Sequence, residues 1–417
     1  MSLRRTLFIT AALAMVTTTG FAAVNLTYSL NGAPVDVSWP ASSFPIRYVV
    51  ERQLTTAIPP AVIERAFNEW ASIPDAGLTF QSAGIVDGAK PGLDGQNSIT
   101  FVDDLFANQN FLALTTNWYD DNGRVKESDI QIDPSATSGK YNVQFLIEHE
   151  IGHLLGLDHT GVLSSVMYPY AGNGSVTELD TDDKIAISTL YSKSVGGATL
   201  RGRVTGDGGG IFAAQVVALD ADGEPVATAL TNQQGEYEMK GVPAGTYRFY
   251  AEPLDGPVDV RNLSGAWRNA KTFSFPTEFA NGGPIHVQDG RIYGNIEVIA
   301  PGTVKLNPKY IGTFTPGVTP LELSATAVEV NPGQSTTIAI CGDGIIGGMT
   351  TFEISNPEVR RVSDFAYAGN YVYATFNVSP DATPASLVVF AKSGNETAAL
   401  TGGLRITGRS RIRVAHR

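Results

Sequence analysis

Three of the chain's five histidines fall within the eleven residues His149 to His159, "HEIGHLLGLDH". On a helix, His149 and His153 lie one turn apart on the same face, separated by about 6 Å of rise. Two imidazoles so placed can share one zinc ion at about 2.1 Å each. Glu150 stands one step round the helix. Its carboxylate reaches a water on such an ion rather than the ion itself, which is the place for a general base. Gly156 can take a positive φ, end the helix and turn the chain sharply. That turn can return His159 as a third ligand and leave the fourth position open, as catalysis requires. Glu150 is therefore the candidate catalytic residue, and His149, His153 and His159 are the candidate metal ligands. The plainer readings explain less. Core histidines satisfied by packing would not cluster, and a closed structural zinc needs a fourth ligand that no local cysteine supplies.

Several elements must position these side chains. "YNVQFLIEHEIGHLLGL" reads as a helix ending at Gly156. "AIPPAVIERAFNEWASI" reads as another: Pro59 and Pro60 suit a first turn, and Val62, Ile63, Ala66, Phe67 and Trp70 recur at helical spacing. "DTDDKIAISTLYS" is a third, capped by Asp180 or Thr181, with acids in its first turn. "FPIRYVVE", "LTFQS" and "NSITFVD" read as strands. "TNWYDDNGRVKESDIQID" reads as two strands joined at an Asp-Asn-Gly turn. Asp120, Asp121 and Asn122 belong first to that turn; calcium is a second use for their oxygens, although no recognised loop pattern is present. Strands and helices in this order imply an α+β domain.

The whole chain is 417 residues, too long for one ordinary core, and 43% hydrophobic. A net charge of −12 speaks against a nucleic-acid partner, since no broad basic surface is available. The first residues carry Arg4 and Arg5, an apolar run from Leu7 to Val16, and the small residues Gly20, Ala22 and Ala23. That is the pattern of a cleaved export signal, so residues 1–22 are expected to be removed and the protein to be secreted. No later stretch is long and apolar enough to suggest stable membrane insertion. The basic tail "GRSRIRVAHR" reads as a solvated end. The single cysteine, Cys341, lies in "TTIAICGDG" and reads as a buried thiol on a strand. After "KSVGGAT" the helical periodicity ends. Residues 198–299 and 301–410 read as two β-sandwich-type modules, the second immunoglobulin-like.

The pattern H-E-x-G-H-x-x-G-x-x-H resembles the metzincin clan of zinc endopeptidases, and within it the matrixins, the matrix metalloproteinase family. "SVMYP" resembles the clan's methionine turn, with Met167 beneath the metal. "LDTDDKIAISTLYS" resembles the closing helix, and "FPIRYVV" with "VIERAFNEWASIPDAGLTF" the first strand and helix. The resemblance implies a domain over residues 23–194 with a twisted mixed sheet, three helices and one catalytic zinc. It also implies a protein or peptide substrate, with "LALTTNWY" as a strand edge that holds an extended peptide. Three details depart from the family. Ala171 stands where a pocket tyrosine is usual, with Tyr170 one place earlier. His286 and His416, the other histidines, lie outside the domain, so no second zinc is expected. No cysteine precedes Cys341, so latency through a thiol is not expected. "GRV", "DADG", "TNQQGEYEM" and "GVPAGTYRF" resemble the transthyretin-like, carboxypeptidase regulatory-like β-domain over 198–253. Residues 254–299 fit it poorly, and either finish that sandwich with an insertion or form something separate. The implied function is a secreted zinc endopeptidase acting on extracellular proteins. The alternatives are a peptidase of another metzincin branch, or an exported adhesion or matrix-binding protein with a vestigial metal domain. The β-modules leave binding to a surface or polymer open.

Overall fold

The computed structural model describes residues 25–30, 33–74, 76–102, 111–172, 177–192, 196–268, 270–271, 273–315 and 321–408. The expected export signal at 1–22 and the basic tail from residue 409 lie outside them.

The first domain is α+β. A hairpin of β1 (Thr27–Leu30) and β2 (Ala33–Asp36) precedes a five-stranded sheet. The sheet contains β3 (Ile46–Glu51), β4 (Phe80–Val86), β5 (Asn97–Phe101), β6 (Ala113–Tyr119) and β7 (Val125–Ile132), in the order β4-β3-β5-β7-β6. All neighbours are parallel except β6, which runs antiparallel to β7 at one edge. Helix α1 (Pro60–Ala71) opens with Pro60 in its first turn, where a missing N–H costs nothing. It buries Ile63, Ala66, Phe67 and Trp70 on one face, and Phe67 stacks on Tyr48 of β3 with ring centroids 4.1 Å apart. Helix α2 (Val143–Leu154) carries the histidine motif. Its N-cap is Asn142, whose Oδ1 accepts the N–H groups of Gln144 and Phe145. Helix α3 (Thr181–Tyr191) is capped by Asp180 in a reciprocal box with Asp183.

Two glycines explain how the motif closes. Gly156 has φ +98°, and a Cβ there would stand 2.0 Å from the Val37 carbonyl oxygen. Gly152 lies inside α2, where a Cβ would meet the Met167 sulfur at 2.2 Å and the Trp70 ring at 3.0 Å. The residue directly before His153 must therefore be small, because the methionine packs directly on its Cα.

The second module is a β-sandwich. One sheet contains β10 (Gln215–Leu219), β11 (Pro225–Leu230), β13 (Gly245–Glu252), β14 (Glu278–Phe279) and β15 (Ile285–Val287). The other contains β8 (Ala198–Gly206), β9 (Gly209–Gly210), β12 (Glu236–Val242) and β16 (Ile292–Ile299). Strands β14, β15 and β16 complete the sandwich, and the stretch between β13 and β14 is an insertion. The last region is a second sandwich. A six-stranded sheet built on Ser335–Asp343 and Tyr371–Val378 accompanies a four-stranded sheet built on Ala385–Ser393 and Glu396–Ile406. Cys341 is buried on the first of these strands.

The three regions are packed together. Leu163 and Tyr168 of the first domain share one apolar cluster with Leu254, Val258 and Trp267 of the second module and Ile340 and Phe376 of the last region.

A candidate metal centre

The turn at Gly156 brings His159 back over α2. His159 Nε2 lies 3.2 Å from Nε2 of His149 and 3.2 Å from Nε2 of His153. Each ring turns its other nitrogen to a backbone carbonyl. His149 Nδ1 faces Val166 O at 2.7 Å, His153 Nδ1 faces Leu157 O at 2.7 Å, and His159 Nδ1 faces Asn262 O at 2.5 Å. A carbonyl only accepts, so each Nδ1 must carry the proton. The Nε2 atoms, on the side of each ring away from that proton, are the three that converge. Burial and the neighbouring rings hold His149 down near 3 and push His153 well below the usual imidazole range, so both are neutral. Neutral imidazoles with Nε2 spacings of this size are what a zinc ion requires, since two ligands about 2.1 Å from one tetrahedral centre stand a little over 3 Å apart. The donor set fits zinc. Among the described residues these three are also the group of potential ligands whose atoms converge within 4.8 Å.

Glu150 is buried beside them. Its Oε2 accepts the Thr115 hydroxyl at 2.6 Å. Burial raises the carboxyl to about 7, and the Thr115 bond pulls in the other direction. Strand β6 is therefore tied to the active helix at two points, Thr115 on Glu150 and Asn117 Nδ2 on the His153 carbonyl at 2.8 Å. The outer edge of β6 carries no strand partner among the described residues.

Below the site, Met167 packs against Gly152, and Asp183 fixes the turn that holds it. Asp183 accepts the N–H of Val166 at 2.9 Å and the hydroxyl of Ser165 at 2.5 Å. The two first-turn acids of α3 thus have different tasks: Asp183 clamps the methionine turn, while Asp182 accepts the N–H and hydroxyl of Thr228 in the second module. Tyr168 is buried in the shared cluster and donates to Ala325 O at 2.8 Å; Tyr170 is 40% exposed and donates to Pro257 O at 3.2 Å. Asp120 Oδ1 accepts the N–H groups of Asn122 and Arg124, as a turn residue does. Asp158, Thr115 and Asn262 escape a reading of the motif alone. Nothing in the sequence links Asn262 to a histidine 103 positions away.

Residues 42–192 match the matrixin family, and residues 199–261 match the carboxypeptidase regulatory-like domain. The chain carries a matrixin domain followed by a regulatory-like one. A 43-residue stretch is 54% identical to karilysin of Tannerella forsythia, covering 10% of this chain and 9% of karilysin. Human matrix metalloproteinase-19 is 30% identical over 159 residues, 34% of this chain and 28% of its own. The Arabidopsis thaliana metalloendoproteinase 5-MMP is 28% identical over 187 residues, 41% of this chain and 48% of its own. In none of these three does the match span half of the relative's length.

Proposed function

We propose that the protein is a zinc endopeptidase that hydrolyses peptide bonds of extracellular proteins. The observation that carries this reading is the convergence of three imidazole Nε2 atoms beside a buried carboxyl group. His149, His153 and His159 would hold the ion, and Glu150 would act as general base. Zinc supplies Lewis acidity, polarising a peptide carbonyl and acidifying water. Glu150 takes the proton from the attacking water and can pass it to the leaving nitrogen. Thr115 holds the carboxylate in place for both transfers. The free edge of β6 lies along the same face and can add an extended peptide as a further strand. Export is part of this proposal and rests on the pattern of residues 1–23.

Hydrolysis of casein or a quenched peptide, with zinc measured in the same sample, tests the reading. Activity should vanish with a chelator and return with zinc. Stoichiometric zinc without any hydrolysis would favour the alternative, an adhesion protein with a vestigial site.

A further inference from the structure

The insertion between β13 and β14 belongs to the second module by sequence, yet it lies on the first domain's metal centre. Within it, Asp259 and Asn262 cap each other. Asp259 Oδ1 accepts the Arg261 N–H at 2.8 Å, and Asn262 Oδ1 accepts the Asp259 N–H at 3.0 Å. That closed turn aims the Asn262 carbonyl at His159 Nδ1. Two residues on, Ser264 donates its N–H at 2.8 Å and its hydroxyl at 2.6 Å to Asp158 Oδ2. The other oxygen of Asp158 accepts the His159 N–H at 2.8 Å. His159 is therefore gripped by this segment through its ring and, by way of Asp158, through its backbone. The grip is itself anchored. Trp267 is buried and donates to Thr231 O at 3.1 Å, and a Cβ on Gly265 would stand 2.4 Å from the Thr27 carbonyl oxygen in the N-terminal hairpin. The other two rings take their carbonyls, Val166 and Leu157, from within the matrixin domain.

We infer that the Asp259–Ser264 turn is a positioning part of the metal centre. The matrixin domain contains all three ligands, but the third acquires its tautomer and orientation only from the second module. Metal affinity is thus coupled to the docking of a neighbouring module. A carbonyl that orients a ligating histidine raises its basicity, and losing such an outer partner typically weakens metal binding by about ten- to a hundredfold.

This inference rests on the zinc reading, and its test separates the two. In the full chain, Asn262→Ala removes the acceptor that closes the turn, and Ser264→Ala removes one donor to Asp158. Thr228→Val removes a different side-chain bond of the same interface, that of the Thr228 hydroxyl to Asp182, and leaves the backbone N–H bond in place. Each protein is measured for zinc affinity by chelator competition, for the visible spectrum of its cobalt(II) form, and for its melting midpoint. The double variant should bind zinc about ten- to a hundredfold more weakly and show an altered cobalt spectrum. Thr228→Val should lower the midpoint and leave both metal readouts unchanged. Should the double variant fail to fold, Ser264→Ala alone, which keeps the turn's cap, should still weaken zinc in the same direction. Wild-type affinity and an unchanged spectrum in the folded variants would overturn the inference while leaving the peptidase reading intact. Failure of the wild-type chain itself to bind zinc would overturn both.

Discussion

At the scale of single residues, the site consists of proton placements. Three carbonyls fix three Nδ1 protons, and that alone makes three Nε2 atoms available to one ion. Glu150 is held off the ion position by Thr115, so it should matter to chemistry and little to metal retention. Glu150→Gln should keep stoichiometric zinc and lose about 10²- to 10⁴-fold in kcat, the usual worth of a general base. Elemental analysis beside peptide kinetics checks both halves, and near-wild-type turnover would remove Glu150 from the mechanism. The glycines give a second, structural prediction. Gly152→Ala must displace the Met167 sulfur, a flexible neighbour, and should cost about 1–3 kcal/mol. Gly156→Ala must push a backbone carbonyl away and also bear φ +98°. Its melting midpoint should fall further than that of Gly152→Ala; the reverse order would mean that the Val37 contact is softer than its geometry implies.

At the scale of elements, β6 is the piece whose role can be tested most directly. Asp133 donates its N–H to the Leu112 carbonyl at 2.9 Å, and the β6–β7 register continues from there. Antiparallel alternation then directs the backbone of Leu114 and Thr116 to β7, and that of Ala113, Thr115 and Asn117 to the free edge. Ala113→Pro removes an edge N–H without breaking the ladder. Peptide KM should rise while zinc stays bound and the fold holds; unchanged kinetics would place the substrate elsewhere. Much of this was legible in the sequence. The five strands of the sheet and α1 follow from periodicity, and α2 from the motif and its terminal glycine, whereas the β1–β2 hairpin went unread. The choice of Asp180 over Thr181 as the cap of α3 was not, since either side chain can accept there and the structure decides by the bond to Asp183. Nor was the reason for Gly152 legible, because Met167 reaches it only through the fold.

At the scale of the whole molecule, sequence reading reaches least far. It separates three regions by texture but cannot see that single residues lace them together. Asp180 accepts Ser164 of its own domain and Ser386 of the last region, both at 2.6 Å. Gly161 donates to Gln215 at 2.9 Å, and Gln215 donates to Glu252 at 2.7 Å. Glu252 also accepts Thr401 at 2.6 Å, which joins all three regions through one buried carboxyl. Burial raises Glu252 to about 7, against the pull of its Thr401 and Gln215 bonds. In the unfolded chain the same group titrates near 4.5. Below that pH both states hold the proton and Glu252 contributes no pH dependence. Between about 4.5 and 7 the folded state binds more proton than the unfolded one, so stability falls as pH rises; above 7 the loss is complete. A shift of this size corresponds to at most about 3 kcal/mol. Glu252→Gln keeps an acceptor for Thr401 and Gln215 but cannot ionise. Relative to wild type, its denaturation midpoint should therefore improve from pH 5 to about pH 7 and level off above it, measured in parallel series. Asp182 and Asp183, also buried and raised, act equally on both proteins and cancel in that difference. A difference that stays flat across the range would mean that water or a rearranged partner relieves the Glu252 charge, and that the junction of the three regions is looser than its hydrogen bonds describe.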